Sequence, residues 1–524
     1  MKRRISSLVK LLCTVPVALA ILAAGGCATN PVTKKSEISF VSEQQEISIG
    51  NQQYLQSQQS SGGKFILDPA LTAYVNEVGR KLVKVSDRPN LPFEFAVIND
   101  SVPNAWALPG GKLAINRGLL TELKSEAELA AVLSHEIVHA AARHGAKSVE
   151  QGTLLAAGAV IVGALASDRK YSEIVDFAAQ GGAALISLRF SREHELEADH
   201  YGIDYMVRAG YDPKAAVELQ ETFVRLAGNK SSNWLSGMFA THPPSQERVD
   251  ANRKRAAGLP ANLYRGEDVY RQKIAFLTQT KPAYAAHDEG RKLLAKDPAQ
   301  ALAKADQAIG LEPREAIFHG LRGDALKKLG RMADAERELG EAIRLNGEYY
   351  AFYLDRGLVR RQLGNAAGAK SDLERSNALL PTAGAHYVLG SLAHDAGNSN
   401  KAMEHYKLAS GSDSEIGKRA GVALVRLDLP RKPGDYIEVE PVADGKGNLG
   451  LRVTNSSPVT LRKLRVAGAV QKSSSSNHFY QEYALPGSLK PGQSTTVAMG
   501  VKLADFNAQM KQVRGQVRGA EVAE

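Results

Sequence analysis

The 524-residue chain holds only two cysteines. Cys13 lies in an N-terminal stretch whose basic start (Lys2, Arg3, Arg4, Lys10) and apolar run over residues 11–24 have the form of a secretory leader. Removing residues 1–26 leaves Cys27 without a partner, which excludes a disulfide framework; this is compatible with an oxidising compartment and requires nothing of it. Long apolar runs are missing as well. Residues 11–24 are too short to span a bilayer comfortably, and the uncharged stretch 154–166, about 13 residues, falls short of the roughly 20 that a crossing helix needs. That second stretch is expected to be a buried helix or an apolar cover over the functional site, with the Gly-rich stretch 178–184 as a hinge or a close-packing helix surface. A dominant charge is the third absence. The formal net charge of +10 includes the four leader cations, which leaves +6. Spread along the chain, that charge gives no footprint for nucleic acid.

What is present is a short histidine pattern. Residues 134–144 read Ser-His-Glu-Ile-Val-His-Ala-Ala-Ala-Arg-His, which sets His135 and His139 on one face of a helix, one turn apart. Two neutral imidazoles at that spacing can share one Zn²⁺, and Glu136 beside them can act as general base on a water that the ion activates. Strong helix formers lead in, and Ser125 with Glu128 predicts a capping box at the start. The pattern alone is short and also arises by chance, and a zinc site needs a third protein ligand.

Residues 191–202, Ser-Arg-Glu-His-Glu-Leu-Glu-Ala-Asp-His-Tyr-Gly, supply one. Glu195 and Asp199 form an i, i+4 pair on a second helix expected to stop before Gly210. Glu195 can be the carboxylate ligand, and Asp199 can accept the free ring N–H of a ligating histidine. The competing reading is a solvated acidic face, to which Glu193 and Glu197 are assigned. His144 follows His139 by five residues where metzincins have six, with Ala142 in place of their glycine, so it is not expected to be a ligand. His194 and His200 are turned from Glu195 by about 100° and about 140° on a helix and are read as structural.

With HExxH followed by ExxxD on a later helix, residues 37–258 resemble the zinc endopeptidases that include HtpX and the CAAX prenyl endopeptidase. The chain looks most like the BepA-type bacterial periplasmic members, which add tetratricopeptide repeats after the peptidase. Shared segments are Asn30-Pro-Val-Thr33, Val41-Ser-Glu-Gln-Gln-Glu46, Ala107-Leu-Pro-Gly-Gly-Lys112, Arg143-His144-Gly145, Ser191-Arg192 and Thr241-His-Pro-Pro-Ser-Gln-Glu-Arg248. The resemblance implies that His135, His139 and Glu195 hold one Zn²⁺ per chain, with Glu136 as catalytic base and Asp199 supporting a ligand. It makes His144 a structural member of its helix. It also implies that the strand near Leu113, Ala114 and Ile115 pairs with an extended polypeptide substrate. The segment of His242 and Arg248 would return to the zinc cleft. There a His-Pro-Pro stretch, constrained toward an extended backbone, can present His242 to the metal or to the substrate oxyanion, and Arg248 to a carboxylate. A Pro-bounded loop start with a solvated arginine is the alternative.

Ahead of the peptidase, Leu22-Ala-Ala-Gly-Gly-Cys27 resembles a bacterial lipobox, with Ala24 where that motif more often has Leu. Cys27 would then be lipidated and anchor the chain; ordinary secretion with cleavage nearby is the alternative. Ala28 after the cysteine, by resemblance to Gram-negative lipoproteins, favours the outer membrane and its periplasmic side.

Behind it, Gly-x₆-Gly recurs at Gly323/Gly330, Gly357/Gly364 and Gly390/Gly397, with an earlier unit at Gly290. The interval of about 34 residues indicates roughly four tetratricopeptide units in a solenoid. From Tyr436 the pattern alternates between turn residues and predicts an antiparallel β-sandwich.

The expected fold is therefore multidomain: an α+β, mainly helical, zincin-like peptidase, an all-α solenoid and an all-β sandwich. The expected bounds are a leader at 1–26, a tether and docking helix at 27–60, the peptidase at 61–260, repeats at 280–430 after a linker, and the sandwich at 435–524. The expected function is zinc-dependent cleavage of unfolded or misassembled envelope proteins, with the repeats recruiting clients or an outer-membrane assembly machine. A repeat scaffold or chaperone with secondary proteolysis is the alternative.

Overall fold

The N-terminal stretch expected to be a tether pairs with itself. In the computed structural model, which describes residues 26–150, 190–228, 237–471, 478–502 and 513–523, β1 (Gly26–Thr29) runs antiparallel to β2 (Ser36–Ser39). Asn30 makes the turn. Its side-chain oxygen accepts from the N–H groups of Val32 and Thr33, and its amide donates to the Ala142 carbonyl at 3.4 Å. Then α1 (Glu43–Ser60) begins in a complete capping box between Ser42 and Gln45. The leader and the stretches 154–166 and 178–184 lie outside the described residues.

The chain forms two units, one ending at Phe352 and the other starting at Tyr353. In the first, α2 (Pro69–Lys84) buries Leu71, Tyr74, Val75, Val78 and Leu82, the stripe its spacing predicts. Next come β3 (Glu94–Ile98), β4 (Ala105–Leu108) and β5 (Lys112–Asn116), in the order β3-β5-β4. β5 is parallel to β3 and antiparallel to β4, so both of its edges are hydrogen-bonded, and all five of its residues are buried. This corrects the assignment of Leu113, Ala114 and Ile115 to a substrate-pairing strand, because no further strand can add where both ladders are filled. The available edge is that of β4, whose outer side no described strand covers.

α3 (Glu126–Ala141) carries the histidines and is buried along its whole length. Its cap differs from the expected box. Ser125 Oγ accepts from the Glu128 N–H, but the Glu128 carboxylate reaches one residue further back, to the N–H of Lys124. α4 (Arg192–Arg208) starts at the Ser191 cap and ends before Gly210, which adopts φ +89°. It packs against α3, and Gly202 permits the close approach: a Cβ there would sit 3.2 Å from Ser134 Oγ and 3.3 Å from His135 N. α5 (Lys214–Gly228) and α6 (Gln246–Ala257) complete the layer around them.

The expected linker 260–282 is helical from Glu267 onward and belongs to the core. α7 (Glu267–Lys273) and α8 (Ala275–Leu293) bring Tyr270, Ile274, Leu277 and Tyr284 into one apolar cluster with Leu129 and Val138 of α3, and Phe318 joins them. Tyr270 donates to the Leu120 carbonyl at 2.6 Å. The Arg117 guanidinium lies 3.3 Å from the centre of the Tyr284 ring, and Asn99 donates to Glu315 at 3.1 Å. The first repeat helices are therefore part of the core around α3.

After α8 come α9 (Pro298–Leu311), α10 (Ala316–Lys328) and α11 (Met332–Leu345) in the first unit, then α12 (Tyr350–Gln362) across the boundary. The second unit holds α13 (Ala366–Leu379), α14 (Ala383–Asp395), α15 (Ser399–Ser410) and α16 (Glu415–Asp428). The Gly-x₆-Gly repeat has a physical cause in each pair. The first glycine touches the following helix, where a Cβ would meet Leu339, Leu373 or Tyr406 at 2.7–2.9 Å; the second turns the chain at φ of 76° to 81°.

Beyond α16, β6 (Ile437–Ala443), β7 (Asn448–Asn455) and β11 (Ser494–Lys502) form one sheet, ordered β11-β7-β6. β8 (Leu461–Gln471) pairs with β9 (His478–Ala484), β10 (Ser488–Leu489) and β12 (Val513–Val522) in the other. Leu451 and Val453 from the first sheet and Leu464 and Val466 from the second share one core with Val425 and Leu429. The fold classes are those expected: α+β peptidase, all-α repeats and all-β sandwich. Among the described residues no helix is long and apolar enough to cross a membrane.

Candidate metal centre

Four buried side chains converge where α3 meets α4. His135, His139, Glu195 and His242 each bring a donor atom, and these atoms all lie within 4.8 Å of one another. The helical spacing of His135 and His139 brings their rings together, with Nε2 atoms 3.0 Å apart. Glu195 reaches both from α4, at 3.5 Å from each Nε2. His242, the residue that ends the helical turn Met238–Thr241, places Nδ1 2.9 Å from Glu195 and 3.3 Å from His135 Nε2. Its Nε2 is 3.5 Å from Glu136, whose carboxylate accepts no hydrogen bond among the described residues.

Two carboxylates and one arginine hold this group in shape. Asp199 accepts from His135 Nδ1 at 2.9 Å. Arg248 grips Asp199 with two parallel bonds, at 2.7 and 2.8 Å, and contacts Glu195 at 2.8 Å with its third nitrogen. Arg248 is thus buried and spent on the protein's own carboxylates. It holds a carboxylate as its motif suggests, and the two that it holds are the protein's own, Asp199 and Glu195.

The electrostatics follow from these contacts. Burial disfavours a charged His135 ring, but its bonds to Asp199 and Glu195 outweigh burial and hold the group up at about 10. Burial drives His139 the other way, well below its usual range. Burial would also raise Glu195, yet His242, Arg248 and the two ring bonds pull it well below the carboxylate range; at Asp199 Arg248 and the His135 ring outweigh burial and lower the group. One cation thus belongs between two facing Nε2 atoms, and not two. Three imidazole nitrogens and a carboxylate oxygen around that point fit a divalent metal ion, whose binding releases the competing proton.

The remaining histidines and acids lie around this group. His144 folds back onto His139, Nδ1 to Nδ1 at 2.9 Å, and its Nε2 lies 3.2 Å from Glu197. Glu197 is therefore half-buried and paired, whereas Glu193 is exposed as expected. Phe190 stacks on His139 at 4.0 Å, and His194 stacks on His144 at 4.1 Å. His200 is exposed and stands outside the cluster. No sequence spacing announces the His139–His144 contact, since residues five apart do not face each other on a helix. The chain makes it by leaving the helix after Ala141 and placing Arg143 at φ +65°. Cys27 has its backbone in β1, opposite Ile38.

Comparison with known proteins agrees with this geometry. Residues 69–256 match the model of Peptidase family M48. The putative beta-barrel assembly-enhancing protease of Vibrio cholerae is 33% identical over 202 residues, 37% of this chain and 41% of that protein. Mitochondrial metalloendopeptidase OMA1 of Schizosaccharomyces pombe is 34% identical over 215 residues, 41% of this chain and 61% of that protein. The chain thus spans between 41% and 61% of the length of these relatives. A thermophilic TPR protein of Thermus thermophilus covers 39% of this chain and 99% of its own, at 20% identity and a TM-score of 0.26. The metal cluster, from α3 to α6, lies wholly inside residues 69–256, the stretch that is similar to Peptidase family M48.

Proposed function

We propose that this chain is a zinc-dependent endopeptidase of the bacterial cell envelope that hydrolyses unfolded or misassembled proteins. The observation that carries the reading is the buried His135/His139/Glu195/His242 cluster with Glu136 beside it, in a metallopeptidase family domain. His135, His139 and Glu195 hold one ion per chain, and imidazole with carboxylate suits Zn²⁺. When bound, that ion supplies a Lewis acid that polarises the scissile carbonyl and acidifies the attacking water. Glu136 takes the proton of that water on its carboxylate and returns it to the leaving amine nitrogen. His242, between Glu195 and Glu136, serves as a further ligand or donates from Nε2 to the developing oxyanion. Asp199 keeps His135 in the tautomer that leaves Nε2 for the ion.

An extended substrate adds to the β4 edge, read through its backbone, which favours unfolded chains over one sequence. The relatives named as a putative beta-barrel assembly-enhancing protease and a metalloendopeptidase support the class. On this reading the repeats recruit clients or an outer-membrane assembly partner, and lipidated Cys27 anchors the chain on the periplasmic side of a Gram-negative outer membrane. Mass spectrometry of the membrane-extracted chain tests the anchor: a first residue other than acylated Cys27 removes it.

Glu136→Gln is the decisive variant. Zn²⁺ content should match wild type, while turnover of an unfolded test protein should fall by about 10²–10⁴-fold, the usual contribution of a general base. Unchanged turnover would overturn the assignment. A cellular phenotype fully rescued by the same variant would favour the scaffold reading.

A further inference from the structure

We propose that His144 and Glu197 form a relay that fixes the metal-facing nitrogen of His139; this rests on the metallopeptidase reading above. With a single proton on the His144 ring, the geometry admits one consistent set of hydrogens. The Glu197 carboxylate is acceptor only, so His144 donates to it from Nε2–H across 3.2 Å. His144 Nδ1 is then a bare lone pair, and at 2.9 Å it can only accept, from the Nδ1–H of His139. With its proton on Nδ1, His139 turns its Nε2 lone pair toward His135 and Glu195. Each assignment forces the next, from a carboxylate on the outer face of α4 to the donor atom of the cluster.

The two ligating histidines of α3 are thus held by different devices of the same kind. His135 has a carboxylate directly on Nδ1. His139 has a carboxylate one imidazole further away. Packing keeps the two rings in place: His144 is fully buried and stacks flat on His194, and Phe190 lies on the face of His139. Arg143, in the left-handed region, is held by its bonds to Glu46 and to the Val41 carbonyl, and this bend swings His144 back under His139. The N-terminal helix α1 therefore helps to set the angle at which His144 meets His139.

His144 is a positioning residue on this account, since it touches a ligand and not the substrate. Its substitutions separate acceptor chemistry from packing. His144→Phe keeps a ring and removes the acceptor, whereas His144→Asn places its Oδ1 where Nδ1 stands and keeps it. The measurement is the Zn²⁺ dissociation constant of the full chain by chelator competition, together with the visible spectrum of the Co²⁺-loaded protein. His144→Phe should bind about 10–100-fold more weakly, the usual effect of removing a partner behind a ligating imidazole, and should change the Co²⁺ bands. His144→Asn should recover most of the affinity and the wild-type bands. Glu197→Ala, a change at a half-exposed position, should weaken binding in the same direction and covers the case that His144→Phe does not fold.

Wild-type affinity in His144→Phe overturns the relay, as does His144→Asn binding no better than His144→Phe at equal thermal stability. If His144→Phe does not fold, unchanged affinity in Glu197→Ala overturns it instead. A wild-type chain that takes up no Zn²⁺ sinks the metallopeptidase reading and the relay together. A wild-type chain that binds and cleaves, beside a His144→Phe variant that binds equally well, removes the relay alone.

Discussion

Glu315 shows how the surroundings of one buried charge decide its response to pH. Glu315 is buried and accepts from Asn99, Tyr284 and the Ile317 N–H. Burial nevertheless holds its carboxyl above the usual value of 4.5, with Tyr284 and Arg117 only partly offsetting it. The folded state then keeps this proton to higher pH than the unfolded state. Stability from this group is full below pH 4.5 and is lost as pH rises through the folded value. Glu315→Gln carries no such proton. Its melting temperature relative to wild type should climb as pH is raised from about 4 to about 7, and a difference that stays flat or falls would refute this. Residue identity is also where sequence reading reaches furthest. His135, His139, Glu195 and Asp199 are brought together by two helical spacings of four. Arg248 is expected from its motif to hold a carboxylate and does hold two, but spacing cannot say that they belong to the protein.

Elements are legible where their ends are chemically marked and illegible where their neighbours are distant in sequence. Ser42, Asp68, Ser125 and Ser191 each cap a helix with a side-chain oxygen, and Pro109-Gly110-Gly111 turns β4 into β5. These are local signals. Strand order is not, which is why Leu113–Ile115 reads as an accessible strand and proves to be the centre of its sheet. The register of β4 on β5, with Asn116 N–H bonded to the Asn104 carbonyl, alternates so that Trp106 and Leu108 direct their backbone groups to β5. Ala105 and Ala107 then point their N–H and C=O groups outward. Ala107→Pro removes one outward donor at a sheet edge, where proline is tolerated. It should lower kcat/KM for a protein substrate by about 10-fold, one hydrogen bond of roughly 1.4 kcal/mol, with little change in melting temperature. Equal kcat/KM would place the substrate elsewhere.

At the scale of the molecule, the boundary that composition suggests near residue 260 is not where the chain divides. Residues 260–282 look like a linker because they are polar between widely spaced apolar positions, yet Tyr270, Ile274 and Leu277 at helical spacing cover the core around α3. A fragment ending at 260 would expose that apolar face. It should lose its cooperative thermal transition, while one ending at 352 should keep it. Equal transitions in the two fragments would restore the separate domains that the sequence suggests. The repeat period is legible because each glycine has a steric duty. The joining of the first repeats to the core around α3 is not, because it rests on contacts between residues distant in sequence, such as those of Asn99 and Arg117 with Tyr284 and Glu315.

That shared core has a consequence for the order in which the protein is made. Synthesis runs from the amino end, so His135, His139 and Glu195 leave the ribosome long before Tyr284 and Phe318, which complete the packing around their helix. The apolar cluster around α3 is therefore incomplete until well over three hundred residues have emerged.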